Sequence, residues 1–317
     1  MGTRLAAILP RLFAPQLIIL YALALSAWLI QLRGAVRFSF ARQLTDHSTF
    51  TAPYNVWMYL FSKVPNKPYI PVEQVPELAK LKENWQVIRD EAVNLYGEGR
   101  IKVADAYNDA GFNSFFRSGW KRFYLKWYND PQPSAERLCP QTVALLKSIP
   151  TIKGAMFASL DAGGRLVRHR DPYAGSLRYH LGLVTPTHPG ECRIFVDGQP
   201  YTWRDGEDVL FDETFLHYAE NTTDQTRIIL FCDVERPLHT RVMTAINRWV
   251  AGTIIKESET VNEPGERVGF VNRLFGVVYQ VRLVGKRFKA WNRGLYYTFK
   301  YATTALVVGG LVYWAVR

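Results

Sequence analysis

The hydrophobic residues of the chain first cluster near its amino terminus. Residues 12–32 contain no charge and include the run LIILYALALSAWLIQL. A helix of this length covers roughly 30 Å, the thickness of the hydrocarbon core of a bilayer. We therefore expect residues 12–32 to form a transmembrane anchor. The alternative is a cleaved signal peptide, but the basic residues that follow at once resist translocation: Arg33, Arg37 and Arg42.

A second uncharged run, residues 301–316, reads YATTALVVGGLVYWAV. It is slightly short for a bilayer span, but Lys300 can extend its ammonium group to the interface. We predict a C-terminal transmembrane segment here, with a docked or interfacial terminal helix as the alternative. Basic residues border both runs on their inner sides, so the positive-inside rule predicts that residues 43–240 form a cytoplasmic domain.

The first half of this domain has the apolar spacing of helices. Apolar residues recur every three or four positions from Leu78 to Leu95, between Pro76 and Gly97, which predicts an amphipathic helix packed on the core. A second helix is predicted from Pro140 to residue 149, because proline suits the first turn of a helix. One stretch between them, FFRSGWKRFYLKWY (residues 115–128), mixes basic and aromatic residues. It could stack nucleotides, bind anionic headgroups or form a half-buried strand.

After residue 150 the pattern changes to short β-branched and aromatic runs. Eight such runs are separated by turn sequences such as AGG and RDGED, with few helices between them. This pattern favours antiparallel strands over a parallel sheet with crossover helices. We therefore predict a mainly β fold: a double-stranded β-helix (jelly-roll) core at about residues 150–236, with N-terminal helical additions and terminal transmembrane helices. The runs are IKGAMFASL, RLVRHR, RYHLGLV, CRIFV, QPYTW, DVLFD, FLHYAE and TRIILFCDV.

Composition narrows the class of protein. The chain has 317 residues, a formal charge of +11 and 14% aromatic residues, which excludes a disordered protein. Three widely spaced cysteines exclude a disulfide scaffold and are typical of a reducing compartment. The basic excess alone fits nucleic acid, acidic lipid or a phosphorylated substrate.

The position of the charges favours a membrane partner over nucleic acid. Residues 241–300 form a basic region, and an apolar face recurs from residue 268 to 295, as in a helix lying on an acidic leaflet. The alternative is a core-facing helix with a solvated basic side. The apolar face consists of Phe270, Leu274, Val277, Val278, Val281, Phe288, Trp291 and Leu295, and the charges are Arg273, Arg282, Lys286, Arg287, Lys289 and Arg293.

One small group of residues has the spacing of metal ligands. His169 and Asp171 are two positions apart in a predicted strand, so both side chains face the same side. His217, on a later strand, could supply a third ligand. Two imidazoles and one carboxylate leave three positions of an octahedral ion open, as in non-haem Fe(II) oxygenases. The pattern alone is weak, because chance produces it often and a zinc hydrolase could use the same ligands.

Two predicted strands near these ligands carry further polar residues. Arg227 follows His217 by ten positions, and a guanidinium in an apolar barrel needs a carboxylate partner. A dicarboxylate cosubstrate would supply one, and a local acid such as Asp224 or Glu220 is the alternative. Arg178 and His180 alternate onto one face of the strand beside the predicted metal ligands.

These residues resemble the aspartyl/asparaginyl β-hydroxylase family of Fe(II)- and 2-oxoglutarate-dependent dioxygenases. The resemblance covers roughly residues 75–235. It implies that His169 and His217 bind iron, that Arg227 with Ser159 holds the distal carboxylate of 2-oxoglutarate, and that Arg178 and His180 lie near its iron-bound end. The shared pattern, with its characteristic intervals, is His169, Arg178, His180, the sequence LGLV, His217 and Arg227.

The chain is most similar to one branch of that family, the bacterial lipid A 2-hydroxylases. Asp171 stands where the animal peptide-hydroxylating members have glycine, and the stretch NVWMYLFSKVPNKPY (residues 55–69) also resembles this branch. The resemblance implies 2-hydroxylation of a fatty acyl chain of lipid A, at a bacterial inner membrane with the catalytic domain facing the cytoplasm. O₂ and 2-oxoglutarate would be converted, giving succinate and CO₂. The alternatives are a peptidyl aspartyl/asparaginyl β-hydroxylase and a non-enzymatic cupin-like lipid-binding protein.

Overall fold

The fold combines helices with antiparallel strands. The computed structural model describes residues 15–104, 108–128, 130–188 and 191–316. It is 47% helical and 22% strand. The prediction of a mainly β fold is therefore wrong, and the fold is mixed. The error arises because the predicted strands are short, whereas the helices before and after them are numerous and long.

The strands of the described residues form two antiparallel sheets. The larger sheet has the strand order β1-β8-β5-β10-β3-β2, and the smaller has the order β4-β9-β6-β7. Each of the eight runs predicted after residue 150 forms a strand, β3 to β10. The strands are β1 Tyr69–Ile70, β2 Trp120–Trp127, β3 Ile152–Leu160, β4 Arg165–His169, β5 Ser176–Val184, β6 Cys192–Val196, β7 Gln199–Thr202, β8 Asp208–Phe211, β9 His217–Asn221 and β10 Arg227–Glu235.

Along the chain, every α-helix of the described residues comes before β3 or after β10. The predicted helix over residues 78–95 is present as two helices, α4 and α5, and the helix predicted from Pro140 is α7. The α-helices are α1 Pro15–Leu32, α2 Phe40–Thr45, α3 His47–Leu60, α4 Ala79–Glu83, α5 Trp85–Gly97, α6 Pro133–Leu138, α7 Pro140–Lys147, α8 Arg241–Val250, α9 Phe270–Trp291 and α10 Arg293–Val316.

Two cores result from the alternation of side chains along the strands. On the outer face of the larger sheet, Ile88 and Leu95 of α5 and Leu146 of α7 pack with residues such as Phe157 and Leu230. The space between the two sheets holds a second core that is rich in aromatic side chains. Because side chains alternate between the two faces of a strand, strands such as β3 and β10 contribute to both cores, whereas β5 packs apolar side chains on the outer core and directs Arg178 and His180 to the space between the sheets.

Among the described residues, no helix is both long enough and apolar enough to cross a bilayer. The two predicted transmembrane segments are therefore wrong. Helix α1 has 18 residues, so it is only about 27 Å long. Helix α10 has charged residues at Arg293 and Lys300, which leave a short apolar remainder. Residues 12–14 of the predicted anchor lie outside the described residues.

Buried ion pairs fix the amino-terminal helices to the sheets. The guanidinium of Arg33, just after α1, donates to Asp212 Oδ2 at 2.7 Å, and Arg236 donates to the same oxygen at 2.8 Å. Burial opposes ionisation of Asp212, but these two cations hold its pKa well below the usual range. Arg170 Nη1 donates to the carbonyl of Ile30 at 2.8 Å. The end of α1 is thereby joined to the segment that follows β4.

The basic-aromatic stretch of residues 115–128 contributes β2, a strand with most side chains buried. Its Arg122 and the carboxylate of Asp109 form a fully buried pair at 3.0 Å. The neighbouring Lys121 pairs with Asp161 at 2.7 Å, and both side chains of that pair are about one-third exposed. The stretch is therefore a structural strand, and the prediction that it binds nucleotides or headgroups has no support in this arrangement.

These two pairs yield a prediction about stability. Asp109→Ala leaves Arg122 buried without a carboxylate, and we expect the free energy of unfolding to fall by about 3–5 kcal/mol. Asp161→Ala removes the partly exposed pair with Lys121 of the same strand, and the free energy of unfolding should fall by about 1 kcal/mol or less. Urea denaturation followed by circular dichroism measures both losses. Equal losses would contradict the assignment of the Arg122 pair as the buried, structural one.

Candidate metal centre

The three predicted metal ligands converge at the end of the smaller sheet. In the antiparallel pair β4–β9, His169 lies directly opposite His217, and their ring centroids are 4.1 Å apart. Asp171 lies two residues beyond β4, with its Oδ1 at 3.6 Å from His169 Nε2. The potential ligand atoms of all three residues lie within 4.8 Å of one another. This spacing fits a single ion.

Both imidazoles present the nitrogen that a metal requires. His169 Nδ1 lies 2.7 Å from the carbonyl of Val167, and His217 Nδ1 lies 3.0 Å from the carbonyl of Phe215. A carbonyl only accepts hydrogen bonds, so each Nδ1 donates and each Nε2 keeps its lone pair. Burial lowers the pKa of His169 and lowers that of His217 to about 3, so both rings are neutral at pH 7. Neutral, oriented imidazoles are the form that binds metal.

The third ligand is ionised because of its neighbours. Burial alone would raise the pKa of Asp171, but the guanidinium of Arg178 holds it below its usual value. Arg178 Nη2 donates to Asp171 Oδ2 at 2.8 Å. Two neutral imidazoles and a carboxylate form a donor set that suits a divalent transition metal such as Fe(II).

Arg178 also holds two carboxylates that the sequence did not reveal. Its Nε donates to Asp233 Oδ1 at 2.9 Å, and its Nη2 contacts Glu213. Burial and the like charges of Asp233 and Asp171 raise the pKa of Glu213 well above its usual range. Asp233 is opposite Arg178 in the β5–β10 register, a pairing that the residue spacing in the chain does not reveal.

A cavity between the two sheets adjoins these ligands. Its walls are mainly aromatic and aliphatic, and they include residues such as Phe112, Phe115, Leu166 and Ile229. An apolar wall excludes water and strengthens every polar interaction made inside. The residues with polar groups that line the cavity are His169, Asp171, Arg178, His180, Trp203, His217, Tyr218 and Arg227.

Arg227 is a buried cation without a counter-charge among the described residues. Only 2% of its surface is exposed, its Nε has no acceptor, and burial lowers its pKa to about 10. Its guanidinium carbon lies 4.4 Å from the ring centroid of Trp203. Of the two acids considered as local partners, Glu220 binds Arg193 at 3.0 Å instead, and Asp224 forms no ion pair with Arg227 in the described structure. A buried guanidinium in this state is costly unless an anion enters.

Of the remaining two predicted site residues, His180 lines the cavity and Ser159 does not. Neither ring nitrogen of His180 has a partner among the described residues. Burial and the cations of Arg178 and Arg227 lower its pKa well below the usual value, so the ring is neutral. Ser159 does not reach the cavity. Its neighbours across the sheet are Lys121 and Ile228, and Ile228 belongs to the outer core, so Ser159 faces the helices.

The part of the chain that holds this site matches a known family of hydroxylases. The match to aspartyl/asparaginyl β-hydroxylase spans residues 82–237 and includes all three metal ligands and Arg227. Residues 82–237 belong to the aspartyl/asparaginyl β-hydroxylase family. The expected resemblance is therefore confirmed, and the chain carries a β-hydroxylase domain.

Individual relatives of this β-hydroxylase domain act on different substrates, to judge by their names. An ornithine lipid ester-linked acyl 2-hydroxylase from Rhizobium tropici is 31% identical over 56% of this chain and 64% of its own length. Human aspartate β-hydroxylase domain-containing protein 2 is 29% identical over 57% of this chain and 50% of its own. Human aspartyl/asparaginyl β-hydroxylase is 28% identical over 51% of this chain and 21% of its own. The chain thus spans less than two thirds of these relatives.

Solved structures resemble the β-hydroxylase domain only weakly. A prolyl-4-hydroxylase from Pseudomonas putida covers 49% of this chain and 87% of its own, with 16% identity and a TM-score of 0.35. A cupin domain of a transcriptional regulator from Enterobacter cloacae covers 38% of this chain and 99% of its own, with 13% identity and a TM-score of 0.26. Likeness of this degree carries no information about chemistry.

The geometry predicts which histidines bind metal. His217→Ala should weaken Mn(II) binding by about 100-fold or more, because even the hydrogen-bond partners of ligands contribute about 10- to 100-fold. His188→Ala, which removes an exposed histidine, should leave the affinity unchanged. Calorimetric titration of metal-free protein with Mn(II) measures both. Equal affinities for the two variants would exclude His217 as a ligand.

Proposed function

We propose that this protein is an Fe(II)- and 2-oxoglutarate-dependent hydroxylase that acts on a fatty acyl chain of lipid A or a related membrane glycolipid. One observation carries the proposal: an open two-histidine, one-carboxylate ligand set shares a cavity with a buried arginine that has no counter-charge. When bound, Fe(II) supplies the chemistry that couples conversion of 2-oxoglutarate and O₂ to succinate and CO₂ with hydroxylation of a C–H bond.

The chain's own residues bind the ion and the cosubstrate and orient them. His169, His217 and Asp171 would hold the ion, each through one ligand atom. Arg227 binds the distal carboxylate of 2-oxoglutarate, which gives this cation the partner that it lacks. Arg178 holds Asp171 ionised and in place at 2.8 Å. His180, being neutral, can donate from one ring nitrogen and accept at the other.

The cavity wall favours an acyl substrate over a peptide. Beyond the metal ligands and the residues assigned to 2-oxoglutarate, its lining is apolar, and it includes Phe112, Phe115 and Trp120. An alkyl chain loses little by leaving water for such a wall, whereas a peptide brings polar groups that need partners. The activity in the name of the Rhizobium relative, acyl 2-hydroxylation of a lipid, supports the same class of substrate.

A peptidyl aspartyl/asparaginyl β-hydroxylase is the second candidate, because human relatives carry that name and would use the same ligands. A non-enzymatic cupin-like lipid-binding protein is disfavoured, since a lipid-binding cavity has no need of two oriented imidazoles, an ionised carboxylate and an unpaired arginine. The product of the reaction distinguishes the remaining alternatives.

The enzyme binds the acidic surface of a bilayer, and we place it at the cytoplasmic face of the bacterial inner membrane. On α9, Phe270, Leu274, Val277, Val278 and Val281 are exposed, although its polar Asn272 and Tyr279 are buried. Core packing therefore does not explain this apolar face. Neighbouring arginines and lysines of the same helix would meet anionic headgroups, as expected of an interfacial helix in the basic region 241–300.

Expression in a bacterium with unhydroxylated lipid A should add the mass of one oxygen atom to lipid A, on carbon 2 of an acyl chain. His217→Ala should abolish this gain, and His188→Ala should preserve it. Mass spectrometry of extracted lipid A, ornithine lipids and peptides measures the product. A gain on a peptide with unaltered lipid A would favour the second candidate, and a gain on ornithine lipid would change the assigned substrate.

The apolar face of α9 yields a prediction about vesicle binding. Val277→Ser with Val281→Ser should weaken binding to phosphatidylglycerol vesicles by about 10- to 100-fold, because each buried valine contributes about 1.5 kcal/mol or more. Val93→Ser with Val103→Ser, at two exposed valines of the β-hydroxylase domain, is the matched control and should change little. Sedimentation with vesicles measures both, and equal binding by the two double variants would refute the assigned surface.

A further inference from the structure

Trp203 is a buried wall residue of the cavity whose polar atom is unused. It follows β7, only 2% of its surface is exposed, and it lines the same cavity as Arg227. Its indole Nε1–H has no acceptor among the described residues. A buried indole normally finds an acceptor, because an unmade hydrogen bond inside a protein is costly.

The face and the edge of this indole have different neighbours. The guanidinium of Arg227 lies over the ring face at 4.4 Å, within the range of a cation–π contact. The N–H, in contrast, lies in the ring plane and is left free by that contact. His180 is also close, with ring centroids 5.9 Å apart and a tilt of 35° between the planes. Three side chains whose buried polar nitrogens have no hydrogen-bond partner among the described residues thus meet at this part of the cavity.

We propose that Trp203 positions Arg227 with its ring face and donates its indole N–H to the same carboxylate that Arg227 binds. This inference rests on the proposed function, in which that carboxylate is the distal one of 2-oxoglutarate. A carboxylate has two oxygens, so one can accept from Arg227 while the other accepts from Trp203. Trp203 then supplies the second donor that Ser159, which faces the helices, does not.

The role gives Trp203 a part in selecting the cosubstrate. A 2-oxo acid without a distal carboxylate, such as pyruvate, satisfies neither Arg227 nor Trp203. It would leave a buried cation and a buried donor unpaired, which a site built from such groups rejects strongly. The pair Arg227–Trp203 therefore selects dicarboxylates over monocarboxylates.

Trp203→Phe tests this, since phenylalanine keeps an aromatic face for Arg227 and removes only the N–H donor. In full-length protein loaded with Mn(II), we expect calorimetry to give 2-oxoglutarate binding weaker by about 10- to 100-fold. The weak binding of pyruvate and the affinity for Mn(II) should not change. Trp249→Phe, at an exposed tryptophan, is the matched control and should bind 2-oxoglutarate as the unaltered protein does.

A second measurement follows the indole N–H itself. In unaltered protein labelled with ¹⁵N-tryptophan, the indole resonance that is missing from Trp203→Phe should shift when 2-oxoglutarate is added and stay in place with pyruvate. Trp203→Ala, which also removes the ring face, should weaken 2-oxoglutarate binding further than Trp203→Phe.

The outcomes separate this inference from the proposed function. If the unaltered protein binds 2-oxoglutarate and Trp203→Phe binds it equally well, the N–H does not reach the carboxylate and the inference is wrong, although the proposed function stands. If Trp203→Ala and Trp203→Phe lose the same affinity, the ring face does not position Arg227. If the unaltered protein does not bind 2-oxoglutarate at all, the proposed function itself fails.

Discussion

The need to pair every buried charge governs this structure. The interior between the sheets and helices contains several guanidinium groups, and desolvation makes each of them costly unless a carboxylate lies against it. Arg122 has Asp109, Arg33 and Arg236 share Asp212, and Arg178 has three carboxylates around it. These pairs join β2 to the loop before it, the amino-terminal helices to the larger sheet, and the metal ligand Asp171 to β5. Arg170 and Arg227 have no carboxylate partner among the described residues. Arg170 donates to the carbonyl of Ile30 at 2.8 Å, whereas Arg227 lines the cavity, and its position there is the basis for the proposed anion site.

The strands and the grouping of the three candidate ligands could be predicted from the sequence because they depend on local patterns. A period of two residues identifies the strands, and the short interval between His169 and Asp171 keeps the two side chains close although Asp171 lies beyond the end of β4. His217 and Arg227 followed from their intervals within a family pattern. The helical content was underestimated, since strand signals after residue 150 dominated the interpretation and the long helices at both ends were assigned to membrane spans. The bounds of each folded helix decide its length and which charged residues it includes, and the apolar run alone does not give those bounds.

What could not be predicted depends on contacts between distant strands. Asp233 is opposite Arg178 because of the register of β5 and β10, and Glu213 reaches the same guanidinium from the turn after β8. The orientation of Ser159 depends on which neighbours it has across the sheet, and a shift of one residue would reverse its direction. Trp203 belongs to no recognisable sequence motif. Only the folded cavity wall shows that its N–H has no acceptor among the described residues.

Helices α3 and α8 expose tryptophan side chains and also form hydrogen bonds to the segment that follows the candidate metal ligand Asp171. Asn55 of α3 donates to the carbonyl of Pro172 at 3.0 Å, and Asn247 of α8 donates to that of Gly175 at 2.9 Å. On their other sides, α3 exposes Trp57 and α8 exposes Trp249. Tryptophan is the residue that most favours the boundary between headgroups and acyl chains. Helices that contact lipid on one side and residues 171–175 on the other would couple arrival at a bilayer to the geometry of the metal ligands. An acyl substrate would then meet an ordered site as it leaves the bilayer.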